Sequence, residues 1–556
     1  DQAVERIYDD GSSLYYYHGV TRALTPVGAR QAARLQQLPN SHRLKIRIHK
    51  PDGTVVVPAG LGNGGAVELE DVEPGDLVEE EYVTRVASAG TSRRGHLPPY
   101  IYRFADSERA FGLSEYLLLV PPEIELKIEG NFEGLEHDEW EVDGLRALRW
   151  RAESVPPVFE ERFAPPTSEL LPWVSYGFGV TWQDVGDALR DRLLPLLVTN
   201  PELEEWSAPL IAGKDPEEAV NTLVNALIDE VEAGRGALDF SAGAGSSFSR
   251  RRGNRLGITA AVLLADGWEV DLVMARTRPF AGTHLVVPTF DSFVLPILRV
   301  ERDGCEIWLD LDQERQGIDR IDPMLQGSDG LLVSLSRLSE PGRIVTELPT
   351  FANPDLEEEM RVAAVVEENG DGRITITLPI RGPQAERVEE QIRSVPTDRV
   401  PMVYQQMATS FVPSAFEVHG RIDRVDGGID LEISLRAPGV CRREEGEMVC
   451  RTLVFSKPLA QVLAALPTRR FDLIMPVPVL QRNELTIELP EGWTIDQRPR
   501  KLESRWGSVV ESIESDGRRH RSVLRLELPA QTVTPEDYPA FARFCHAVDE
   551  LGSRPP

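Results

Sequence analysis

The stretch Gly253-Asn254-Arg255-Leu256-Gly257-Ile258-Thr259-Ala260-Ala261-Val262-Leu263-Leu264-Ala265 decides how the middle of this chain folds. It reads as a helix, and it is so nearly apolar all round that it must be buried. It is too short for the roughly 20 apolar residues of a membrane-spanning helix. Upstream, Asp215-Pro216-Glu217-Glu218 is a strong helix start: a capping carboxylate, proline in the first turn, then acids at the positive end of the dipole. Val220, Leu223, Val224, Leu227, Ile228 and Val231 follow at helical spacing. Thr181 can cap an earlier helix running to about Leu194. Downstream, segments 268–275, 293–300 and 306–311 read as strands. The central region, 175–340, is therefore α+β.

Residues 1–165 read as β-rich. Segments 15–20, 44–49, 54–57, 77–83 and 123–128 are strand candidates, punctuated by Asp10-Gly11, Asp52-Gly53 and Pro74-Gly75. This spacing predicts an antiparallel β-sandwich. Residues 163–168, Phe-Ala-Pro-Pro-Thr-Ser, read as a linker. From 341 to 556 the chain returns to strands, at 374–379, 416–422, 429–435, 485–489 and 523–528, with short helices between them. Glu367-Glu368-Asn369-Gly370-Asp371-Gly372 reads as a hairpin turn. The last helix starts at Thr534-Pro535-Glu536-Asp537 and presents Phe541, Phe544, Cys545 and Val548 on one face. No repeat of solenoid period is visible. The expected fold class is multidomain α+β: an N-terminal antiparallel β-sandwich, a central α+β core, and a C-terminal β-rich sandwich domain with short helices.

The 556 residues carry a formal net charge of −30. That disfavours nucleic acid, whose phosphates need a basic face, and repels anionic membrane surfaces. No apolar run is long enough for a transmembrane segment. The chain begins at Asp1 without a methionine and reads as a processed or truncated product. Nine histidines are scattered with no His-x₃-His pair, and Asp310-Leu311-Asp312-Gln313-Glu314 is followed by Arg315 where a calcium loop needs glycine. Neither a metal nor a cofactor is expected. Arg250, Arg251 and Arg252, with Arg255, form the one basic cluster, behind the Gly/Ser-rich residues 241–247. Glycines, arginines and a helix N-terminus suit an anion or an acidic partner, against the commoner solvated helix start.

Cys441 and Cys450 flank a turn-like segment between two apolar runs, and a disulfide across that hairpin is expected. It would contribute about 2–3 kcal/mol, because the loop it closes is short, and it implies an oxidising compartment. Cys305 and Cys545 could be free or paired.

Several motifs, in order, carry a resemblance. Asp10-Gly11, then Leu24-Thr25-Pro26-Val27-Gly28, Pro51-Asp52-Gly53 and Val72-Glu73-Pro74-Gly75-Asp76-Leu77 lie in the first region. Residues 160–166 and 174–182 follow, then Trp308-Leu309-Asp310 and Leu325-Gln326-Gly327. Leu489-Pro490-Glu491-Gly492-Trp493 and Asp537-Tyr538-Pro539-Ala540-Phe541 lie in the last region. With these the chain resembles bacterial transglutaminase-like proteins, whose papain-type core is flanked by two β-rich domains of unknown function. The resemblance spans nearly the whole chain and implies a cysteine-protease-type core.

That family's chemistry needs a Cys-His-Asp constellation. The cysteine sits at a helix N-terminus, where the dipole and an imidazolium lower its pKa, and the aspartate orients the histidine. The resemblance places Arg255 at the cysteine position and Leu295 at the histidine position, and keeps only Asp310. Loss of nucleophile or base in a triad costs on the order of 10⁶ in rate. The expectation is a pseudoenzyme with no catalytic residues, in which Arg255 turns either toward Asp310 or outward. Cys305 on a strand, His284 about ten residues early, and Ser246, Ser247 and Ser249 are weaker substitutes. The function expected is a non-catalytic protein-interaction or scaffolding module of the bacterial envelope, periplasmic or at the cell surface. It would take a protein or peptide partner, in a larger complex or fused to upstream helical repeats. The alternatives are a papain-like hydrolase or acyltransferase acting on peptides or proteins, and a carbohydrate- or peptide-binding sandwich. For the last, Tyr15-Tyr16-Tyr17 is the only aromatic run, and alternation turns at least one of the three inward.

Overall fold

The described residues are strand-rich, with 41% in strands and 23% in helices, in several sheets. The structure is a computed structural model. It describes residues 1–35, 40–58, 67–87, 101–234, 242–280, 282–289, 292–311, 318–337, 339–345, 347–351, 357–381, 383–425, 428–444, 447–450, 458–493 and 499–553.

The N-terminal unit contains β1 (Gln2–Ile7), β2 (Ser13–Arg22), α1 (Pro26–Ala32), β3 (Ser41–His49), β4 (Val55–Val56) and β5 (Leu77–Val86). It continues through β6 (Tyr102–Arg103), β7 (Phe111–Val120), β8 (Lys127–Asn131), β9 (Glu136–Val142), β10 (Leu145–Val155) and β11 (Trp173–Gly177). Eight of these strands form one sheet, ordered β9-β10-β7-β1-β2-β5-β3-β4, and β8-β11-β6 form a second. Alternation drives the pairing: along β7, Ser114, Tyr116, Leu118 and Val120 are buried while their neighbours are partly exposed. Tyr116, Leu118 and Trp150 from the large sheet meet Tyr102, Val174 and Tyr176 from the small one in a single core.

The expectation of a purely antiparallel sandwich is corrected here. β1 runs parallel to β7, with Gln2 opposite Glu115. The cause is topological: β1 occupies the middle of the sheet, hairpinned to β2. β7 reaches its other edge only after the chain has passed through β3 and β5, the kind of long crossover a parallel pair requires. β11 is buried throughout and pairs with β8. The expected linker is also strapped down. Phe163 packs against the C-terminal core, and its carbonyl accepts the Ile474 N–H at 2.7 Å.

The central unit holds α2 (Trp182–Leu193), α3 (Pro201–Ile211), α4 (Pro216–Glu230), α5 (Ala244–Ser249) and α6 (Arg255–Ala265). Thr181 and Asp184 form a capping box on α2. Asp215 caps α4 by accepting the Glu218 N–H at 3.0 Å. The sheet is antiparallel throughout, β14-β13-β12-β15-β16, built from β12 (Glu269–Ala275), β13 (Leu295–Arg302), β14 (Cys305–Leu309), β15 (Gly330–Ser334) and β16 (Arg343–Val345). Every residue of α6 from Leu256 to Leu263 is buried, in one core with the sheet and α4.

The C-terminal unit contains β17 (Glu357–Val366), β18 (Gly372–Arg381), α7 (Pro383–Ser394), α8 (Val400–Phe411), β19 (Phe416–Val425) and β20 (Gly428–Ala437). After them come α9 (Leu459–Leu463), β21 (Leu473–Met475), β22 (Val479–Glu488), β23 (Lys501–Ser504), β24 (Gly507–Ser515), β25 (Arg519–Leu528), β26 (Gln531–Val533) and α10 (Tyr538–Ser553). Its sheet is ordered β19-β20-β18-β17-β22-β25-β24-β23, with β21 and β26 paired apart. This is the N-terminal plan again. β17, β18, β19, β20, β22, β24 and β25 take the places and directions of β1, β2, β3, β5, β7, β9 and β10, including the parallel central pair. β21 and β26 pair as β6 and β11 do. The hairpin between β17 and β18 falls where the Glu367–Gly372 turn was read, and Phe541, Phe544, Cys545 and Val548 of α10 are buried as the periodicity predicts. Among the described residues no helix is long and apolar enough to cross a membrane.

A short hairpin, Cys441–Glu444 with Glu447–Cys450, sets Cys441 opposite Cys450. Cys441 is disulfide-bonded, and Cys305 and Cys545 are free thiols. The side chain of Cys450 lies outside the described ones.

Candidate functional site

The start of α6 is built by Asn254, whose side chain accepts the Gly257 N–H at 3.0 Å. Gly253 before it stands at φ 155°, where a Cβ would come within 2.7 Å of the Ser247 hydroxyl oxygen. Arg255 is the first helical residue. Its positive charge is unwelcome at the positive end of a helix dipole. The guanidinium therefore turns to the opposite kind of terminus. Nε donates to the Val231 carbonyl at 2.8 Å and Nη2 to the Ile228 carbonyl at 3.1 Å, at the C-terminal end of α4. These are the carbonyls a helix end leaves without intrahelical donors. Both of these donors point at α4, an arrangement that neither expected orientation of Arg255 named.

Leu295 opens β13 and is 36% exposed. Asp310 follows β14 and is buried, and its Oδ2 accepts the Asp322 N–H at 2.9 Å. Leu298 faces Leu309 across the ladder, so the register carries Asp310 to Ile297, two residues from Leu295. Cys305 sits at the far end of the same strand, facing Arg302. Five residues of strand put it roughly 16 Å from Asp310. Burial pushes its thiol pKa up, and the carboxylates of Glu217, Asp319 and Asp215 push it further. The Cys545 thiol is pushed up to about 12, chiefly by burial and then by Asp549. Both thiols are thus in the unreactive, protonated form at neutral pH.

His284 is held elsewhere. Its Nε2 meets Glu169 Oε1 at 2.7 Å and its ring stacks on Trp173, centroids 4.4 Å apart. The connection from β12 to β13 around it is gripped from two sides. Glu129 of β8 accepts the N–H groups of Leu285, Val286 and Val287 at 2.9, 3.1 and 3.0 Å. Asp329 accepts the Gly282 N–H at 2.7 Å and a bond from the buried Arg276 guanidinium at 2.5 Å. That guanidinium also lies over the Phe293 ring at 4.9 Å. None of Glu129, Glu169, Arg276 or Asp329 carries a motif, so only His284 drew attention to this connection.

The arginine cluster is occupied internally. Arg251 pairs with Glu230 at 2.8 Å and Glu202 at 3.1 Å and lies over Phe248. Arg252 approaches Glu232 at 3.9 Å, and Arg250 Nε donates to the Ser246 carbonyl at 3.2 Å. Acids of α3 and α4 thus meet much of the charge read as an anion or partner site.

A second charged constellation lies on the N-terminal sheet and has no sequence motif. Its members come from three strands. Glu79 is met by His49 Nε2 at 2.8 Å, His18 Nε2 at 3.2 Å and Lys45 Nζ at 3.4 Å. Burial alone would raise the Glu79 pKa, but these hydrogen bonds bring it down to about 2. His18, Glu79 and Glu81 are close enough to share a metal ion, and the Lys45 ammonium already bonds to both carboxylates.

These features define a multidomain, strand-rich α+β protein in which two like-built sheet units flank a central unit with a buried helix. The fold is similar over 100% of this chain, and 97% of the other, to the crystal structure of a proposed protease from Parabacteroides distasonis, at 14% identity and a TM-score of 0.62. A structure described as a proposed cysteine protease from Cytophaga hutchinsonii aligns with 44% of this chain and 80% of its own, at 12% identity and a TM-score of 0.19. Residues 447–554 match a family described as a domain of unknown function with a solved structure, DUF3858. No curated protein matches the chain.

Proposed function

We propose that this chain is a non-catalytic, pseudo-transglutaminase module that serves protein interaction or scaffolding in the bacterial envelope. The observation that carries the reading is the Arg255 guanidinium at the start of α6, bonded to the carbonyls of Ile228 and Val231. In a transglutaminase-like core that position would hold the thiolate. Leu295 offers an alkyl group where an imidazole would be needed, and the free thiols of Cys305 and Cys545 are both raised in pKa. The bonded Cys441 supports an oxidising compartment, periplasm or cell surface. The alternative is a papain-like hydrolase or acyltransferase acting on peptides or proteins. It takes its support from the description of the Parabacteroides structure, and it would require Cys305 and His284 to act together.

The test is to incubate the chain at neutral pH with iodoacetamide and, separately, with a glutamine-containing peptide and an amine. The expected result is slow alkylation of Cys305 and neither hydrolysis nor transamidation. Rapid alkylation of Cys305 that abolishes a measurable turnover would overturn the reading.

A further inference from the structure

Each of the two flanking units carries a cleft beside the end of its second strand. In the N-terminal unit it lies over β2 and β5 beside α1, and in the C-terminal unit over β18, β17 and β22. In the C-terminal unit the cleft is about 480 Å³, with Met360, Leu378, Ile380 and Phe411 in its lining beside Glu357, Glu359, Arg381 and Asn483. In the N-terminal unit it is about 740 Å³ and differently furnished.

The floor of that first cleft is set by two cross-strand pairs of β2 and β5, Tyr17 with Tyr82 and Gly19 with Glu80. The two tyrosine rings stack on each other, centroids 4.9 Å apart at 28°, so each covers one face of its neighbour. Gly19 is required there: a Cβ would lie 2.4 Å from the Tyr17 hydroxyl. Beneath, the buried guanidinium of Arg43 donates to Glu80 at 2.7 Å and fixes that carboxylate. Among the described residues neither tyrosine hydroxyl has an intramolecular hydrogen bond. On the walls Gln31 donates to Glu108 at 3.2 Å, and Arg109 donates to Asp106 at 2.8 Å.

The charged lining residues balance: Arg22, Arg34 and Arg109 against Glu80, Asp106 and Glu108. A balanced lining concentrates neither anions nor cations. A stacked tyrosine pair, hydroxyls without an intramolecular partner and planar carboxylate, amide and guanidinium groups instead fit a neutral ring with one apolar face and a rim of hydroxyls. We propose that the cleft over Tyr17, Gly19, Glu80 and Tyr82 binds a neutral sugar, a pyranose unit of a glycan. Of the run Tyr15-Tyr16-Tyr17, Tyr15 is core and Tyr17, packed against that core, also lines the cleft.

The full chain is titrated with cellotriose, chitotriose and maltotriose by calorimetry and saturation-transfer NMR. At least one should bind with a Kd of about 10 mM or tighter. Tyr17→Ala and Tyr82→Ala should each weaken it about tenfold or more, and Tyr17→Phe less. Glu108→Gln, on the exposed wall, should weaken it without changing the melting temperature, so the proposal stays testable if a tyrosine variant fails to fold. It is overturned if none of the three sugars binds, if binding is indifferent to Tyr17→Ala and Glu108→Gln, or if inorganic sulfate competes for the cleft. The reading of the central unit does not depend on this result, since none of these residues touches it.

Discussion

Arg255 shows how a residue that breaks a local rule is accommodated at a distance. Removing its side chain strips two donors from the end of α4. Arg255→Ala should therefore destabilise the protein by about 1–3 kcal/mol in denaturant titration. Arg255→Lys should recover only part of that, because a single ammonium cannot match a planar fork spread over two carbonyls. The anomaly was plain in the sequence, but its resolution was not. The acceptors are main-chain atoms 24 and 27 residues upstream, and any side chain presents the same carbonyl. Glu79 was invisible for a related reason: its partners come from three strands and meet only when the sheet registers. Its carboxyl is held at about 2, below an ordinary value of 4.5, so the unfolded chain binds that proton more tightly than the folded one. The stabilisation is full above about pH 5 and is lost as the pH falls toward 2. Solvent screening limits it to about 1–2 kcal/mol. Glu79→Gln should flatten that part of the stability–pH curve, measured by urea midpoints from pH 2 to 6; an unchanged curve would mean that the network contributes nothing.

Among elements, the helices were the most legible. Thr181, Asp215 and Asn254 each do what short polar residues do at a helix start, and the apolar spacing of α4 and α10 states which face is buried. Strands were located, but not their neighbours. Alternation marks a strand's two faces, whereas the parallel contact of β1 with β7 depends on chain that lies between them. The β12–β13 connection was hardest of all, because its order comes from Glu129 in another unit. Three donors on one carboxylate should make that connection cooperative with the N-terminal sheet. Glu129→Ala should speed hydrogen exchange at the Leu285, Val286 and Val287 amides by about 10- to 100-fold, corresponding to about 1.4–2.8 kcal/mol of local stability. Exchange in the buried α6 should stay unchanged. Unaltered rates at all three amides would show that the carboxylate does not order the connection.

At the scale of the whole molecule, three units are cross-linked rather than strung in a line. The chain between the N-terminal and central units crosses the C-terminal one, through Phe163 and the bond from Arg470 N to Glu161 at 2.8 Å, and Arg278 of the central unit donates to the Pro476 carbonyl at 3.2 Å. Neither these ties nor the shared plan of the two sheets was legible in the sequence. Strand-for-strand equivalence is a matter of pairing order, which no single residue announces.

That doubling also creates a hazard during synthesis. Each role in the sheet exists in duplicate, so a growing polypeptide offers β17 two candidate mates of matching geometry: its proper neighbour β22 and the earlier β7. Whichever docks first could trap an intertwined, exchanged species of the sort that tandem arrays are prone to. The intervening 178–350 stretch, with its own buried helix, spaces the copies apart and lets the first close before its counterpart emerges from the ribosome.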